Sequence, residues 1–353
     1  MKLSDREWKD FAVPYVFQNI QRGKRLKKAD HISGIIPYVS STANNNGVDA
    51  YIEATKGTRV FENCISLANS GSVGTAFYEP FAFVASDHVT SLKRENTSQY
   101  VYLFLTAVLE QQKSNFDFNR EINDLRIKKM RIMLPVDDND EPDYQFMEDY
   151  MKELMVAKRK QYQEYVEQRL AELGIDAKNT KVGGYNLDLE SRDYKPFRLS
   201  NLFAIDKGVY LPKWNIVSGK NPFITAKAGN NGISDFIGNE TLFTAGKITV
   251  EKIKLSAYYQ PQDFYCSHDV SVLDIGRVNQ YIAQFICTMI MRNSSKYSYG
   301  RQAQMNVVKR EVIMLPVDNN SEPDYDFMEE CGRKMMAKKY VQYLNFLESS
   351  GAI

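Results

Sequence analysis

The 353-residue chain has four cysteines, Cys64, Cys266, Cys287 and Cys331, and no two of them lie close together in the sequence. That spacing gives neither a disulfide framework nor a paired-cysteine zinc site, and it fits a reducing cytoplasm. No run of 18 apolar residues occurs, so no membrane span is expected. The first residues, MKLSDREWKDF, lack the apolar core of a secretory signal. Histidine is scarce: His31, His88 and His268 are isolated. His88 and His268 sit beside Asp87 and Asp269 at roughly matched positions, and structural roles are expected. There is no phosphate-binding P-loop.

Two further activities lack their residues. An amino-directed methyltransferase needs a Gly-rich turn for its cofactor and an Asn-Pro-Pro-aromatic box for an extruded base. Asn221-Pro222-Phe223 lacks the second proline. A metal nuclease needs paired acids with a nearby lysine around Mg²⁺. The Glu141-Pro142-Asp143-Tyr144 string offers acids, but it stands at a helix start, where carboxylates favour the positive end of the dipole.

What the chain does have is a core-forming composition, 43% hydrophobic and 12% aromatic, and a long internal repeat. The segment IMLPVDDNDEPDYQFME from Ile132 returns almost unchanged as IMLPVDNNSEPDYDFME from Ile313, an offset of 181. At the same offset Phe77, Tyr78 and Pro80 match Tyr258, Tyr259 and Pro261, and Phe118 and Arg120 match Tyr299 and Arg301. At offset 185, Pro37, Asn45, Asn46 and Gly47 match Pro222, Asn230, Asn231 and Gly232. Trp8, Lys9 and Phe11 match Tyr194, Lys195 and Phe197 at offset 186. The order never changes and the drift marks small changes in loop length.

Each copy has two parts. The first, residues 1–135 and 194–316, is rich in short apolar or alternating runs broken by Gly, Asn and Pro, which read as strands and turns. Each also holds one helical stretch, near residues 100–111 and 278–291. The second part, residues 136–175 and 317–353, carries apolar residues at steps of three and four with few interruptions, the pattern of a long helix. Residues 176–193 read as a polar linker. The expected fold class is α+β: two mainly-β globular domains in tandem, separated by two long helices that pair as an antiparallel coiled coil, with a pseudo-two-fold repeat. The alternative is that each helix packs on its own domain. Met147, Met151, Leu154, Tyr165, Met328, Met335, Tyr343 and Phe346 form the stripe expected at the helix or partner interface.

The net charge of +1 hides a division. Residues 8–135 carry 16 basic and 12 acidic side chains, and residues 195–316 carry 15 and 8. Residues 136–172 carry 5 and 11, and residues 317–353 carry 4 and 7. Two basic modules alternate with two acidic helices. Basic modules suit phosphate contact, and acidic helices suit a spacer or a protein interface.

This order, the repeated helix-entry segment and the recurring aromatic-X-Arg before a Leu-Pro resemble the specificity subunits of type I restriction–modification systems and their type IIB, BcgI-like, relatives. The resemblance spans nearly the whole chain. It implies two target-recognition domains, each reading half of a split site in double-stranded DNA, and helices that set the distance between the halves. It further implies a chain with no catalytic centre or metal, docked to a methyltransferase or methyltransferase–nuclease subunit that binds S-adenosylmethionine and Mg²⁺. A self-contained DNA-modifying or cleaving enzyme and a stand-alone DNA-binding regulator are the rival readings, and methyl transfer by the chain alone would favour the first.

Base reading needs paired donors and acceptors on loops that reach the major groove. The candidates are Asn45, Asn46, Lys56 and Arg59 in the first copy, and Lys227, Asn230, Asn231, Lys247, Lys252 and Lys254 in the second. Asn-Asn-Gly also reads as a tight turn. Loops that diverge between copies, residues 51–74 and 234–255, suit base contact. Shared positions such as Arg120, Arg301, Lys9 and Lys195 suit phosphate contact or packing.

Overall fold

Trp8 faces Pro135 across an antiparallel strand pair, and Tyr194 faces Pro316 in the same way, so each half of the repeat begins by closing onto its own end. The computed structural model describes residues 1–55, 57–117, 119–174, 188–274, 276 and 278–349. Its contacts divide it into two units, residues 1–162 and 163–353.

In chain order the first unit runs β1 (Trp8–Ala12), α1 (Val13–Val16), β2 (Asn19–Arg22), β3 (Ser33–Val39), β4 (Val48–Ile52), β5 (Val60–Phe61), β6 (Cys64–Ala68), β7 (Ala76–Glu79), β8 (Phe83–Ala85), β9 (Val89–Lys93), α2 (Gln99–Gln111), α3 (Asp124–Lys129), β10 (Arg131–Pro135) and α4 (Tyr144–Glu172). Residues 163–172 of α4 fall in the second unit. Besides the β1–β10 pair there are two four-stranded sheets, β2-β9-β6-β7 and β4-β3-β8-β5. All pairings are antiparallel except β3 with β8. The α2 helix buries Val101, Tyr102, Phe104, Leu105, Val108 and Leu109 on one face, the spacing of an amphipathic helix, and the Ser98 hydroxyl caps it by accepting the Val101 N–H. That face packs on Ile65, Leu67 and Leu92 of the first sheet and on Ile132 and Leu134 of β10.

The second unit repeats this plan with β11 (Tyr194–Arg198), α5 (Leu199–Leu202), β12 (Ala204–Lys207), β13 (Ser218–Ile224), β14 (Ile233–Ile237), β15 (Lys247–Glu251), β16 (Ala257–Gln260), β17 (Tyr265–Cys266), β18 (Val270–Asp274), α6 (Gln280–Met291), α7 (Met305–Val308), β19 (Val312–Pro316) and α8 (Tyr325–Ser349). Its sheets are β12-β18-β15-β16 and β14-β13-β17. A bridge between Phe243 and Phe264 stands where β5 pairs with β8. The expected α+β class with two mainly-β units is what the chain adopts, and both expected domain helices are present as α2 and α6. The linker expected at residues 176–193 lies largely outside the described residues.

Both long helices begin alike. Asp143 Oδ1 accepts the Phe146 N–H at 2.8 Å, and Asp324 Oδ1 accepts the Phe327 N–H at 2.9 Å. The other oxygen of each cap takes an arginine, Arg6 at 2.8 Å and Arg192 at 3.0 Å. Each of these guanidiniums also lies over the phenylalanine ring it helps to cap, Phe146 or Phe327. The prolines of Glu-Pro-Asp-Tyr precede the cap and bridge to Val136 and Val317. The acids therefore do helix-capping work, as the sequence indicated, with Asp as the N-cap residue.

The expected stripe along these helices divides in two. Met147 and Met151 pack in the core of the first unit, and Met328 is fully buried in that of the second. These first turns follow the alternative reading, in which each helix lies on its own domain, because the strand before each cap aims the helix across α2 or α6. Leu154 is half-buried, while Met335, Tyr343 and Phe346 are largely exposed. Within the second unit the end of α4 does meet α8, through Val166, Leu170, Ala337, Tyr340 and Val341, all buried. Tyr165 joins at the margin, its ring edge-on to Tyr340.

Candidate nucleic-acid interface

The structure places the polar candidates in unequal settings. Asn45, Asn46 and Gly47 have φ of 50°, 51° and 76°, and Asn230, Asn231 and Gly232 have 49°, 53° and 77°. Three successive left-handed residues make a turn that Asn and Gly accept most readily. In the second copy the side chains are also engaged: Asn231 Nδ2 donates to the Tyr259 carbonyl and to Gln260 Oε1, and Asn230 Nδ2 donates to the Ile233 carbonyl. The repeated Asn-Asn-Gly thus builds the frame of the turn.

Arg59 donates to the Arg22 carbonyl at 2.8 Å. Lys227 donates to the Ile233 carbonyl at 3.2 Å. Lys247 pairs with Asp274 at 2.5 Å and Lys252 with Asp269 at 2.6 Å, all four side chains being at least half covered. An ion already paired at close range presents less net charge to a phosphate. Lys254, Arg120 and Arg301 are exposed. Lys56 lies outside the described residues, as does Phe118 of the first aromatic-X-Arg pattern. Lys9 and Lys195 reach the turn before the long helix, Lys9 pairing with Asp140 and Lys195 donating to Ser321.

The isolated histidines take structural partners. His88 Nδ1 lies 2.5 Å from the Ser70 hydroxyl, and His268 stacks edge-on against Tyr210 beside Asp269. All four cysteines are buried. Burial pushes the Cys64 thiol up to about 11 and the Cys287 thiol to about 12, which keeps them protonated and unreactive.

Sequence reasoning missed the arginines behind the caps, although Arg6 and Arg192 repeat at offset 186. It also missed Val166 and Leu170, one helical turn apart and facing Ala337, Tyr340 and Val341. Their spacing was visible, but the aromatic and methionine stripe is the more conspicuous pattern.

A sheet framework kept constant in two copies while its exposed residues vary is the build of a recognition protein with two reading units. The family described as the type I restriction modification DNA specificity domain matches the chain twice, over residues 5–164 and 191–342. The chain belongs to that family and is a specificity subunit, a DNA-recognising component of a restriction–modification system whose family is non-catalytic. A type II restriction enzyme specificity subunit, S.BcgI of Heyndrickxia coagulans, is 24% identical over 318 residues, 88% of this chain and 89% of that protein. Among solved structures, the S subunit of a type I restriction–modification system from M. genitalium aligns over 99% of this chain and 94% of its own, with 14% identity and a TM-score of 0.46. The HsdS subunit from Thermoanaerobacter tengcongensis aligns over 97% and 91%, with 12% identity and a TM-score of 0.32. The family match carries the assignment. Among the described residues no helix is long and apolar enough to cross a membrane.

Proposed function

We propose that this chain reads a split DNA target, one half-site per unit, on behalf of a separate methyltransferase or methyltransferase–nuclease chain that docks on its helices. The observation behind this is the duplication itself: one sheet framework twice, each copy followed by a long capped helix. S-adenosylmethionine and Mg²⁺ belong on that reading to the partner, and the complex works in the cytoplasm. The α4 helix has 29 residues and α8 has 25, which makes them about 43 and 37 Å long at about 1.5 Å per residue. Both exceed the roughly 34 Å of one turn of B-DNA, a length that suits a spacer between two readers. The repeated Leu-Pro-Val-Asp to Glu-Pro-Asp-Tyr segment and the likeness to S.BcgI favour the type IIB-like branch.

The test is co-purification with a methyltransferase chain encoded beside it, followed by mapping of the methylated bases. The expected result is methyl transfer only when both chains are present, at two fixed half-sites with a constant gap. Transfer by this chain alone would overturn the reading. Inserting four residues after Arg159 adds about 6 Å of helix, so the gap should lengthen by one or two base pairs of about 3.4 Å while both half-sites stay the same. An unchanged gap in a folded, active insertion mutant would show that the helices do not set it.

A further inference from the structure

The loop between β2 and β3 and its counterpart between β12 and β13 share one backbone and almost none of their exposed chemistry. Each opens at a glycine with no room for a side chain: a Cβ on Gly23 would lie 2.1 Å from the Ser86 carbonyl oxygen, and one on Gly208 would lie 2.1 Å from that of Ser267. The next residues are bolted down identically. Gly23 and Lys24 donate to the Val89 and Ala85 carbonyls, and Gly208 and Val209 donate to those of Val270 and Cys266. A matched short helical turn follows, at Lys28–Asp30 and Lys213–Asn215. At the far end Ile32 accepts the Glu53 N–H, and Val217 accepts that of Gly238. Leu26 and Leu211 tuck inward at the same point of each loop, against the β4-β3-β8-β5 sheet in the first unit and the β14-β13-β17 sheet in the second.

On this common frame the outward side chains differ. The first loop shows Lys24, Arg25, Lys27 and Lys28, all exposed and none in an ion pair among the described residues. The second shows Tyr210, 62% exposed, and Trp214, 82% exposed, beside Lys213. Of the chain's two tryptophans, Trp8 is half-buried, whereas Trp214 is held in water on a fixed backbone close in sequence to the exposed Tyr210, and an exposed aromatic pair of this kind suits a contact surface. A constant frame with variable tips is also what two readers of different half-sites require. The frame fixes where the tip meets the DNA, and the tip decides what it meets.

We propose that residues 24–32 and 209–217 are paired specificity loops, the first reading its half-site through four cations and the second through the Tyr210 and Trp214 rings. This rests on the function proposed above. In the first unit Lys24, Lys27 and Lys28 suit phosphates, and the Arg25 fork suits the O6 and N7 acceptors of a guanine. In the second unit the rings suit apolar contact with thymine methyl groups in the major groove, with Lys213 left for a phosphate. The two loops should therefore leave opposite signatures in salt.

The experiment uses the chain assembled with the methyltransferase chain encoded beside it and a random duplex library to find the selected sequence, then measures affinity against salt. Selection of a split site by the unaltered complex tests the proposed function by itself; failure to select one removes that reading and this one together. With the split site in hand, removing all four cations (K24A, R25A, K27A, K28A) should flatten the plot of log affinity against log salt by about 2.7, near 0.9 for each of the three phosphates no longer neutralised. Trp214→Ala should weaken binding about tenfold and leave the slope unchanged. Replacing residues 209–217 by residues 24–32 should change one half-site and leave the gap and the other half-site alone. Because these side chains are exposed, the four-cation and Trp214 variants should keep the melting temperature of the parent, which separates a weakened DNA interface from an unfolded chain. An unchanged slope in the four-cation variant, unchanged affinity in the Trp214 variant, or unchanged half-sites after the exchange would each overturn the assignment with the proposed function intact.

Discussion

In the second unit Gln260 is buried at the edge of the larger sheet and serves three partners: its amide donates to the Thr249 hydroxyl at 2.8 Å and to the Asn231 carbonyl at 3.1 Å, and its oxygen accepts from Asn231 Nδ2 at 3.2 Å. At the equivalent place in the first unit stands Glu79, fully buried, accepting only from the Ser66 hydroxyl at 2.9 Å. Its second oxygen has no hydrogen-bond partner among the described residues. One framework thus holds a neutral amide in one copy and an acid in the other. Burial pushes the Glu79 carboxyl up to about 7, against the smaller lowering by Ser66, so the folded chain favours the protonated, amide-like form. The comparison shows that this position wants a neutral group able to donate, and that the first unit meets the demand only while its acid holds a proton.

The largest effect expected from breaking this difference is that of Glu79→Gln. For an acid whose pKa is raised on folding, stability is complete below the unfolded value, near 4.5, and declines as pH rises toward the folded value, about 7. Above pH 7 the loss is complete and constant. Glu79→Gln stays neutral throughout, so it should match the parent near pH 4 and exceed it at pH 8 by up to about 3 kcal/mol, taking about 1.36 kcal/mol per unit. Melting curves at the two pH values check this. A variant no more stable than the parent at pH 8 would show that the Glu79 carboxylate is tolerated in place. Gln260→Glu, the reverse exchange, should bring the same pH dependence to the second unit.

Much of this architecture is legible in the sequence. The duplication, the two domain helices and the capping role of Asp143 and Asp324 follow from identities at fixed offsets and from carboxylates placed before an apolar stripe. The two-sheet arrangement is not legible, because strands as short as Val60–Phe61 or Tyr265–Cys266 carry no periodicity to read. The loops proposed above as readers, residues 24–32 and 209–217, are not singled out by the sequence pattern either. Divergence between copies points to residues 51–74 and 234–255, but the structure uses much of those stretches as strand, and it pairs Lys247 and Lys252 internally. Sequence shows which residues differ and cannot show which of them face solvent.

A smaller effect is expected where the long helices cross the domain helices. A Cβ on Gly332 of α8 would stand 2.7 Å from Tyr281 Cβ and 2.9 Å from the Tyr281 carbonyl oxygen of α6. The equivalent residue of the first unit, at offset 181, is Met151, which packs against the core there. The two crossings are therefore not interchangeable: one is closed by a side chain and the other by the lack of one. Gly332→Ala should cost about 1–3 kcal/mol through overpacking, despite the better helix propensity of alanine. Denaturant titration measures it, and a neutral result would mean that α6 and α8 can part without penalty.

The smallest expected effect concerns the feature the units share most closely. Each long helix has an aspartate that caps it and at the same time holds an arginine lying over a phenylalanine of the first turn, Asp143 with Arg6 and Phe146, and Asp324 with Arg192 and Phe327. Losing an N-cap carboxylate costs about 1 kcal/mol. The ion pairs add little, because Arg6 and Arg192 are more than two-fifths exposed and solvent screens them. Asp143→Ala and Asp324→Ala should therefore each cost about 1 kcal/mol, with nearly equal values, and Asn at either position should restore most of the loss because its carbonyl can still accept the N–H. Chemical denaturation of the two single variants and of the double variant measures this. The caps lie in separate units, so their costs should add to within about half a kcal/mol. Unequal costs would mean that one helix start is held mainly by its packing on the domain core, and the likeness of the two caps would then be one of form without equal energy.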